Sequence, residues 1–560
     1  MVNVQIDGVW MQLPRGTRMI EACKQAKKEV PHYCYHPKLT SPGNCRMCLV
    51  EMGMPPRLPP GIEPERDEEG YVKIQWIPRP AISCANTIAE GMGIRTDSEL
   101  TRTCREGVME FLLINHPLDC PICDQAGECR LQEFSVDHGK GESRFQEQKV
   151  KKPKNQQIGP RITLDDERCI MCSRCIRFSR EIADDDCLGL TDRGSHTVLT
   201  THPNKELANN YSLNTVDICP VGALTSTDFR FQMRVWFLKE TDSICTGCGR
   251  GCNVTIGARQ DKIHRQTPRE NNDVNSCWMC DTGRLDIHYV NSESRLTDPM
   301  VKEGPAHRPT GWNDAINKTT QGLKGLAGSE IAIIASGRMT NEELFMVKRL
   351  ASVLSTDQVA IVERKGKADA FLVAADKNPN TRGAKLILGK DVVSNYDGIK
   401  AAVKGGEIKG LLVFGEDLFE AGFERDDFAK ISIFATANIL ANPTAEAAHV
   451  VLPSTATMEK RGSMINLTGR LQRLNKAVEP PGQALDDWEI IRDLIQSLGG
   501  GNGLYAIEDV FKLMAGEIKE LNGLSLSRIS DFGIPLLRSQ AKIPLLEKEA
   551  ERKEKRLIVG

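Results

Sequence analysis

The sequence predicts a chain of several domains, α+β in its first half and α/β in its second. Three observations carry this reading. The length of 560 residues accommodates about three to five domains at roughly 100–200 residues each. All 19 cysteines lie between Cys23 and Cys280, so the two halves use different chemistry. Beyond residue 298, short apolar runs alternate with helical patterns, as in parallel α/β units.

The elements follow in order. Val2, Val4 and Ile6 alternate, Asp7-Gly8 is a turn dipeptide, and Val9, Met11 and Leu13 alternate again, which predicts a β-hairpin. Pro14-Arg15-Gly16 breaks the run. Thr17 is then expected to cap a helix with Ile20, Cys23 and Ala26 on one face. Residues 53–80, with Pro55-Pro56 and Pro59-Pro60, predict a loop or small excursion between strands, and the polar stretch 139–157 predicts a linker. In the second half, residues 330–335 predict a short buried strand, and Thr340 with Glu343 forms a capping-box signature for a helix over 341–354. Further strands are expected at 370–374, Gly410–Phe414, 431–435 and 449–452, and the charge run 547–556 is expected to be a solvated helix.

The bulk properties exclude several classes. A net charge of −2 gives no electrostatic footprint for nucleic acid. No apolar run approaches the ~20 residues of a spanning helix. The start, Met1-Val2-Asn3-Val4-Gln5-Ile6-Asp7, has neither the basic nor the apolar region of a signal peptide, so a cytoplasmic chain with reduced thiols is expected. In such a compartment, cysteines clustered in one half point to metal rather than disulfides.

The cysteines fall into four groups. Cys34, Cys45 and Cys48, with Cys84 further on, supply the four thiolates that a [2Fe–2S] cluster needs, although the ten-residue gap departs from plant-type spacing. Zinc is the alternative for any isolated Cys-x2-Cys. In the second group, His116 precedes Cys120, Cys123 and Cys129, with prolines on both sides of Asp119. A lone histidine is usually structural; a neutral imidazole replacing a thiolate removes one negative charge and raises a cluster's potential. The third group is Cys169, Cys172 and Cys175, completed by Cys219-Pro220, the pattern of a [4Fe–4S] cubane in bacterial ferredoxins. The fourth is Cys245, Cys248 and Cys252, with Cys280 or Cys277 as the fourth ligand of a cubane. Cys23, Cys104 and Cys187 read as structural.

These groups, in this order, resemble the large iron–sulfur subunits of NADH–quinone oxidoreductase, respiratory complex I. The segment from Asn115 to Cys129 resembles the family's one-histidine, three-cysteine motif almost throughout, and Cys219-Pro220-Val221-Gly222-Ala223-Leu224 its cubane-closing segment. Residues 1–297 are covered well. More weakly, Val450-Val451-Leu452-Pro453, Glu459-Lys460-Arg461-Gly462 and Asn466-Leu467-Thr468-Gly469-Arg470 resemble the end of a molybdopterin-oxidoreductase-type domain.

The resemblance implies ligation by His116 and, through the family's Cys-x-x-Gly-Arg pattern, by Cys280 rather than Cys277. It implies a β-grasp [2Fe–2S] ferredoxin-type domain over 1–98 and a one-His/three-Cys [4Fe–4S] segment over 99–150. A ferredoxin-like [4Fe–4S] domain over 151–238 and a [4Fe–4S] domain of the molybdenum/tungsten-enzyme type over 239–297 would follow. A shortened molybdopterin-oxidoreductase-like α/β domain without metal would fill 298–560. The cofactors would be one [2Fe–2S] and three [4Fe–4S] clusters. No molybdenum is expected, because no cysteine follows Cys280 and Thr282 stands where the molybdenum enzymes tend to carry lysine.

No Gly-x-Gly-x-x-Gly follows a strand, so hydride chemistry is expected on a partner. The partners implied are a flavin/NADH-binding subunit with its small [2Fe–2S] partner, and the quinone-side hydrophilic subunits. The chain would be an electron-transfer subunit of a proton-translocating enzyme, without a substrate site of its own. It would lie peripherally on the cytoplasmic side of the membrane, touching it only through the complex. The fourth cluster would stand off the main route. The alternative is the large subunit of a soluble NAD-linked formate dehydrogenase, which would hold molybdenum or tungsten. An [FeFe]-hydrogenase would need further cysteines near the C-terminus, and a zinc scaffold would contain no iron.

Overall fold

The computed structural model describes residues 1–501 and 503–558, with side chains through Arg552. The chain divides into two compact units, Met1–Phe237 together with the chain from Glu549, and Leu238–Lys548.

The first unit opens on the expected hairpin, β1 (Val2–Ile6) and β2 (Val9–Leu13), paired from Val2↔Leu13 to Ile6↔Val9. Asp7 and Gly8 both take left-handed φ, +47° and +87°, as a two-residue hairpin turn of matching twist requires. The sheet is completed by β3 (Leu49–Met54), β4 (Gln75–Ile82) and β5 (Met92–Arg95) in the order β2-β1-β5-β3-β4, with β1 and β5 parallel. Across it lies α1 (Met19–Gln25), which buries Met19, Ile20, Ala22 and Cys23. Its N-cap is Arg18 rather than Thr17. The Thr17 hydroxyl instead donates to the Pro14 carbonyl at 2.8 Å and closes the turn ahead of the helix.

The excursion is shorter than the sequence suggests, since β3 runs to Met54 and β4 starts at Gln75. Pro78 and Pro80 sit within β4, which is tolerated because β4 is an edge strand. Trp10 holds the excursion down, stacking on Tyr71 at 4.1 Å and donating its indole N–H to Asp67 at 3.0 Å.

The rest of this unit is built from short elements around the cysteine loops. They are α2 (Glu99–Leu113), α3 (Arg130–His138), β6 (Gln156–Gly159), β7 (Ile162–Leu164), α4 (Arg174–Glu181), β8 (Leu188–Thr191), β9 (Val198–Thr201), α5 (Asn214–Asp217) and β10 (Leu224–Ser226). The linker has no helix or strand before β6, yet Lys149 fixes it by donating to the carbonyls of Leu113 and Ile114 at 2.8 Å each. The tail forms a helix over Pro544–Ile558, but it is not simply solvated: Glu549 is buried and pairs with Lys38 at 3.1 Å. The side chains of 553–556, part of the expected charge run, lie outside the described residues.

The second unit begins with an antiparallel sheet of β11 (Lys239–Ile244), β12 (Asn253–Arg259) and β13 (Lys262–Pro268), followed by the short helix α6 (Asp281–Leu285). A seven-stranded sheet follows. Its strands are β14 (Met300–Glu303), β15 (Ala306–Pro309), β16 (Ile331–Ala335), β17 (Val359–Ile361), β18 (Gly410–Phe414), β19 (Ile433–Asn438) and β20 (Val450–Pro453), in the order β15-β14-β20-β19-β18-β16-β17. The strands from β16 to β20 pair in parallel, and β14 runs antiparallel to β20. Every residue of β16 and β18 is buried, as continuous apolar runs in a two-sided parallel sheet should be.

Residues 370–374 form no strand. The Asp369 carboxylate accepts from the backbone N–H of Phe371 and Val373 at 2.8 and 3.1 Å, a local turn that takes donors from any ladder. The strand falls earlier, at β17. The expected capping box is present: Thr340 accepts from Glu343 N–H at 3.3 Å, and the Glu343 carboxylate accepts from Thr340 N–H at 2.7 Å. The helix it starts runs Asn341–Val353. Among the described residues, no helix is long and apolar enough to cross a membrane.

The first turn of this helix carries buried charge. Glu342 accepts from Ser463 N–H at 2.8 Å and from its hydroxyl at 2.7 Å, and burial pushes its carboxyl up to about 7. A carboxyl raised in the folded state stabilises below its unfolded pKa, and that contribution is lost as pH rises through the folded value. The contribution of Glu342 to stability should therefore fall between about pH 4.5 and 7. Glu342→Gln should flatten that fall by about 3 kcal/mol. Parallel pH slopes of the melting temperature in wild type and E342Q would overturn this.

Candidate metal centres

Cys34, Cys45 and Cys48 come from the loop between α1 and β3, and Cys84 follows β4 by two residues. The four free thiols are neighbours, Cys45 beside Cys34, Cys34 beside Cys84 and Cys84 beside Cys48, and the Cys34 backbone N–H donates to the Cys45 sulfur at 3.4 Å. Cys34, Cys48 and Cys84 are fully buried. The Cys34 sulfur and burial push the Cys45 thiol far up, so ionising this set together calls for a cation among its members.

The second set is strung between α2 and α3. His116 follows α2, Cys120–Ile122 form one helical turn, and Cys129 is the N-cap of α3. His116, Cys120, Cys123 and Cys129 line one cavity together with Gly222. Burial lowers His116 to about 4, which keeps the imidazole neutral, its ligating form. Cys120 is exposed while Cys123 is buried.

The third set lines another cavity. Cys169 and Cys172 lead into α4, Cys175 lies in its first turn, and Cys219 lies just beyond α5. Met171 and Ser173 take φ of +53° and +58°, which coils the chain between the cysteines. Burial, then the neighbouring Cys172, Cys169 and Cys219, push the Cys175 thiol well up. Apolar side chains such as Ile170, Ile176, Leu199 and Val221 fill the remaining wall.

The fourth set belongs to the second unit. Cys245 follows β11, Cys252 precedes β12, and Cys280 caps α6. Burial and the surrounding Cys245, Cys248 and Cys280 sulfurs raise the Cys252 thiol, which places Cys280 with the other three. A Cβ on Gly283 would stand 3.0 Å from the Cys245 sulfur and 3.2 Å from that of Cys280, so the α6 backbone closes directly over this set.

All sixteen residues singled out in the sequence thus fall into four spatial sets. Among the described residues, no group of three or more His, Cys, Asp or Glu side chains is arranged to hold a single metal ion. Two of the sets ring cavities, and all four offer the donor count and type of an iron–sulfur cluster.

The first three sets also touch one another through residues that carry no motif. The Arg177 guanidinium donates to the Cys34 carbonyl at 2.5 Å and to that of Cys172 at 3.3 Å. Arg174 donates to the carbonyls of Tyr35 and Ile218. The segment that carries Cys219 also supplies Gly222, whose Cβ would stand 2.2 Å from the Cys123 sulfur. An arginine two or five residues after a cysteine gives no sequence signal of such a contact.

Five stretches match known families. Residues 1–99 match the 2Fe-2S iron–sulfur cluster binding domain, 105–144 the NADH-ubiquinone oxidoreductase-G iron–sulfur binding region, and 159–225 the ferredoxin-like domain of NADH-quinone oxidoreductase subunit 3. Residues 238–292 match the Fe4S4 domain of molybdopterin oxidoreductases, and 377–497 the molybdopterin oxidoreductase family itself. The chain therefore carries [2Fe–2S] and [4Fe–4S] binding domains and a molybdopterin-oxidoreductase domain.

Among similar proteins, an NADH-quinone oxidoreductase subunit of Rickettsia felis is 38% identical over 369 residues, 66% of this chain and 51% of the relative. The mitochondrial NADH-ubiquinone oxidoreductase 78 kDa subunit of Neurospora crassa is 39% identical over 363 residues, 64% of this chain and 46% of the relative. NADH-quinone oxidoreductase subunit 3 of Thermus thermophilus is 37% identical over 370 residues, 64% and 47% respectively. The chain spans about half the length of the curated relatives it matches.

Proposed function

We propose that this chain, homologous over about two thirds of its length to the large iron–sulfur subunits of NADH–quinone oxidoreductase, is an electron-conducting subunit of such an enzyme. The observation that carries the reading is the contact between the first three cysteine sets, through Arg177 and through the segment that holds Cys219 and Gly222. Redox centres held there would be neighbours.

In this reading Cys34, Cys45, Cys48 and Cys84 hold a [2Fe–2S] cluster. Three [4Fe–4S] clusters are held by His116, Cys120, Cys123 and Cys129; by Cys169, Cys172, Cys175 and Cys219; and by Cys245, Cys248, Cys252 and Cys280. The clusters supply one-electron storage. The protein fixes their positions, excludes water with apolar walls such as Ile170 and Leu199, and sets potentials by ligand type and nearby charge. The domain limits proposed are 1–98, 99–150, 151–238, 239–297 and 298–560. Electrons would arrive from a flavin/NADH-binding subunit with its [2Fe–2S] partner and leave toward quinone-side subunits, on the cytoplasmic face of the membrane. No molybdenum is required.

The test is EPR of the reduced protein with iron, sulfide and molybdenum counts. One binuclear and three cubane signals without molybdenum support the proposal; stoichiometric molybdenum would favour a formate-dehydrogenase-type subunit instead. In the assembled complex, Cys172→Ala should abolish NADH-to-quinone transfer, whereas Cys248→Ala should chiefly lower stability. Equal loss of turnover per assembled complex would remove the distinction between a conducting and a structural centre.

A further inference from the structure

One buried cation lies at the seam between the second and third sets. Arg168 immediately precedes Cys169, yet its side chain turns away toward the second set. Its Nη2 donates to Asp119 Oδ2 at 2.8 Å, and its Nη1 donates to Asp165 Oδ2 at 2.8 Å and to the Gly222 carbonyl at 3.3 Å. The side chain is only 3% exposed. Asp119 stands between His116 and Cys120, and Gly222 presses on Cys123. One guanidinium therefore grips the loop that carries the histidine, the segment that closes the third set, and the turn that starts it.

We propose that Arg168 is a positioning residue whose charge, balanced by Asp119, sets how readily the centre at His116, Cys120, Cys123 and Cys129 is reduced. This rests on the reading that these four residues hold an iron–sulfur cluster.

The pair sits within a wider set of ion pairs. Lys154 also pairs with Asp119 at 3.0 Å and with Glu167 at 2.9 Å, and Arg230 pairs with Asp165 at 2.9 Å. Asp119 is held by two cations at once, Arg168 at 2.8 Å and Lys154 at 3.0 Å. Removing one member of the pair therefore changes the local charge by one unit of known sign in a medium that screens it weakly. Reduction adds an electron, so a lost cation opposes it and a lost anion favours it.

Redox titration followed by EPR on the complete complex tests this. Arg168→Gln should shift the reduction equilibrium of the one-histidine centre about tenfold or more toward the oxidised form, ~59 mV downward for a one-electron couple. Asp119→Asn should shift it in the opposite direction, and Arg168→Lys should return it toward wild type. The binuclear centre at Cys34 should stay put in all three, since the Arg168 guanidinium spends its hydrogen bonds on Asp119, Asp165 and Gly222. If Arg168→Gln fails to assemble the centre, the sign of the shift in D119N still decides. Shifts of the same sign in R168Q and D119N, or unchanged potentials with the centre present, would overturn the proposal. Absence of the one-histidine signal from wild-type protein would instead remove the cluster assignment beneath it.

Discussion

Gly222→Ala should cost the protein the centre at His116, Cys120, Cys123 and Cys129 while sparing the one at Cys34. The added Cβ would lie 2.2 Å from the Cys123 sulfur and 3.1 Å from the Gln125 Cβ. Non-bonded carbon contacts settle near about 3.5–4.0 Å, so roughly an ångström or more of movement is needed. Neither side yields easily. The Cys123 carbonyl is held by Arg234 at 2.7 Å, and the Gly222 carbonyl by Arg168 at 3.3 Å. Two residues further on, Leu224 is locked into β10 opposite Leu164. Displacing the Cys123 sulfur removes a ligand from the set, and displacing the Gly222 segment disturbs Cys219 in the next. The expected result is loss of one cubane's iron, disappearance of the one-histidine EPR signal, and a broadened signal from the Cys169 set. A full iron complement with a wild-type spectrum in G222A would show that the segment relaxes. Gly283 offers a graded comparison. Its nearest sulfur would be 3.0 Å from the new Cβ, so Gly283→Ala should weaken the Cys245 set less than G222A weakens its own.

Much of this arrangement is legible in the sequence because the ligands come from tight local spacings. Two residues between Cys169, Cys172 and Cys175 can only coil around one point, and the structure coils them with left-handed residues at Met171 and Ser173. The distant members Cys84 and Cys219 stand beside their groups, and Cys280, which spacing alone left open against Cys277, stands beside Cys245, Cys248 and Cys252. Illegible are the contacts that join one set to the next. Arg177 reaches Cys34 across 143 residues and Arg168 reaches Asp119 across 49, and no periodicity or motif encodes such a pairing.

The fold divides along the same line. The hairpin turn, the capping box at Thr340 and the buried runs of β16 and β18 depend on neighbours in sequence, and they are readable there. Residues 370–374 mislead because an apolar run looks like a strand until Asp369 takes its backbone donors for a turn. Thr17 misleads because a threonine hydroxyl can cap the helix ahead or close the turn behind, and only the turn's geometry chooses. Glu549 is paired with a lysine 511 positions away, which a charge run does not announce.

Lys460→Met should destabilise the second unit by about 3–5 kcal/mol, the usual consequence of removing one partner from a buried ion network. Lys460 Nζ lies 2.7 Å from Glu343 Oε1 and 3.2 Å from Asp487 Oδ2, with all three side chains at most 4% exposed. The lysine joins three elements: Glu343 sits in the first turn of the helix Asn341–Val353, Asp487 begins the helix Asp487–Ser497, and Lys460 itself precedes the strand Gly462–Ile465. Burial disfavours its charge, but the two carboxylates overcome this and keep the amine protonated. Methionine fills much of the same volume, so the loss reports the charge rather than a cavity. Its removal leaves two buried carboxylates without a cation. Burial already pushes the Asp487 carboxyl up and the lysine opposes this, so losing Lys460 raises Asp487 further. A carboxyl raised on folding contributes stability below its unfolded pKa and loses it as pH climbs through the folded value. The deficit of K460M should therefore be smaller at about pH 5 than at about pH 8. Adding Glu343→Gln should recover part of it at the higher pH, because one of the stranded charges is gone. Denaturation of the full chain at both pH values measures this. A deficit that is independent of pH, or one below about 1 kcal/mol, would mean that the network is relieved by water or rearrangement rather than by the lysine.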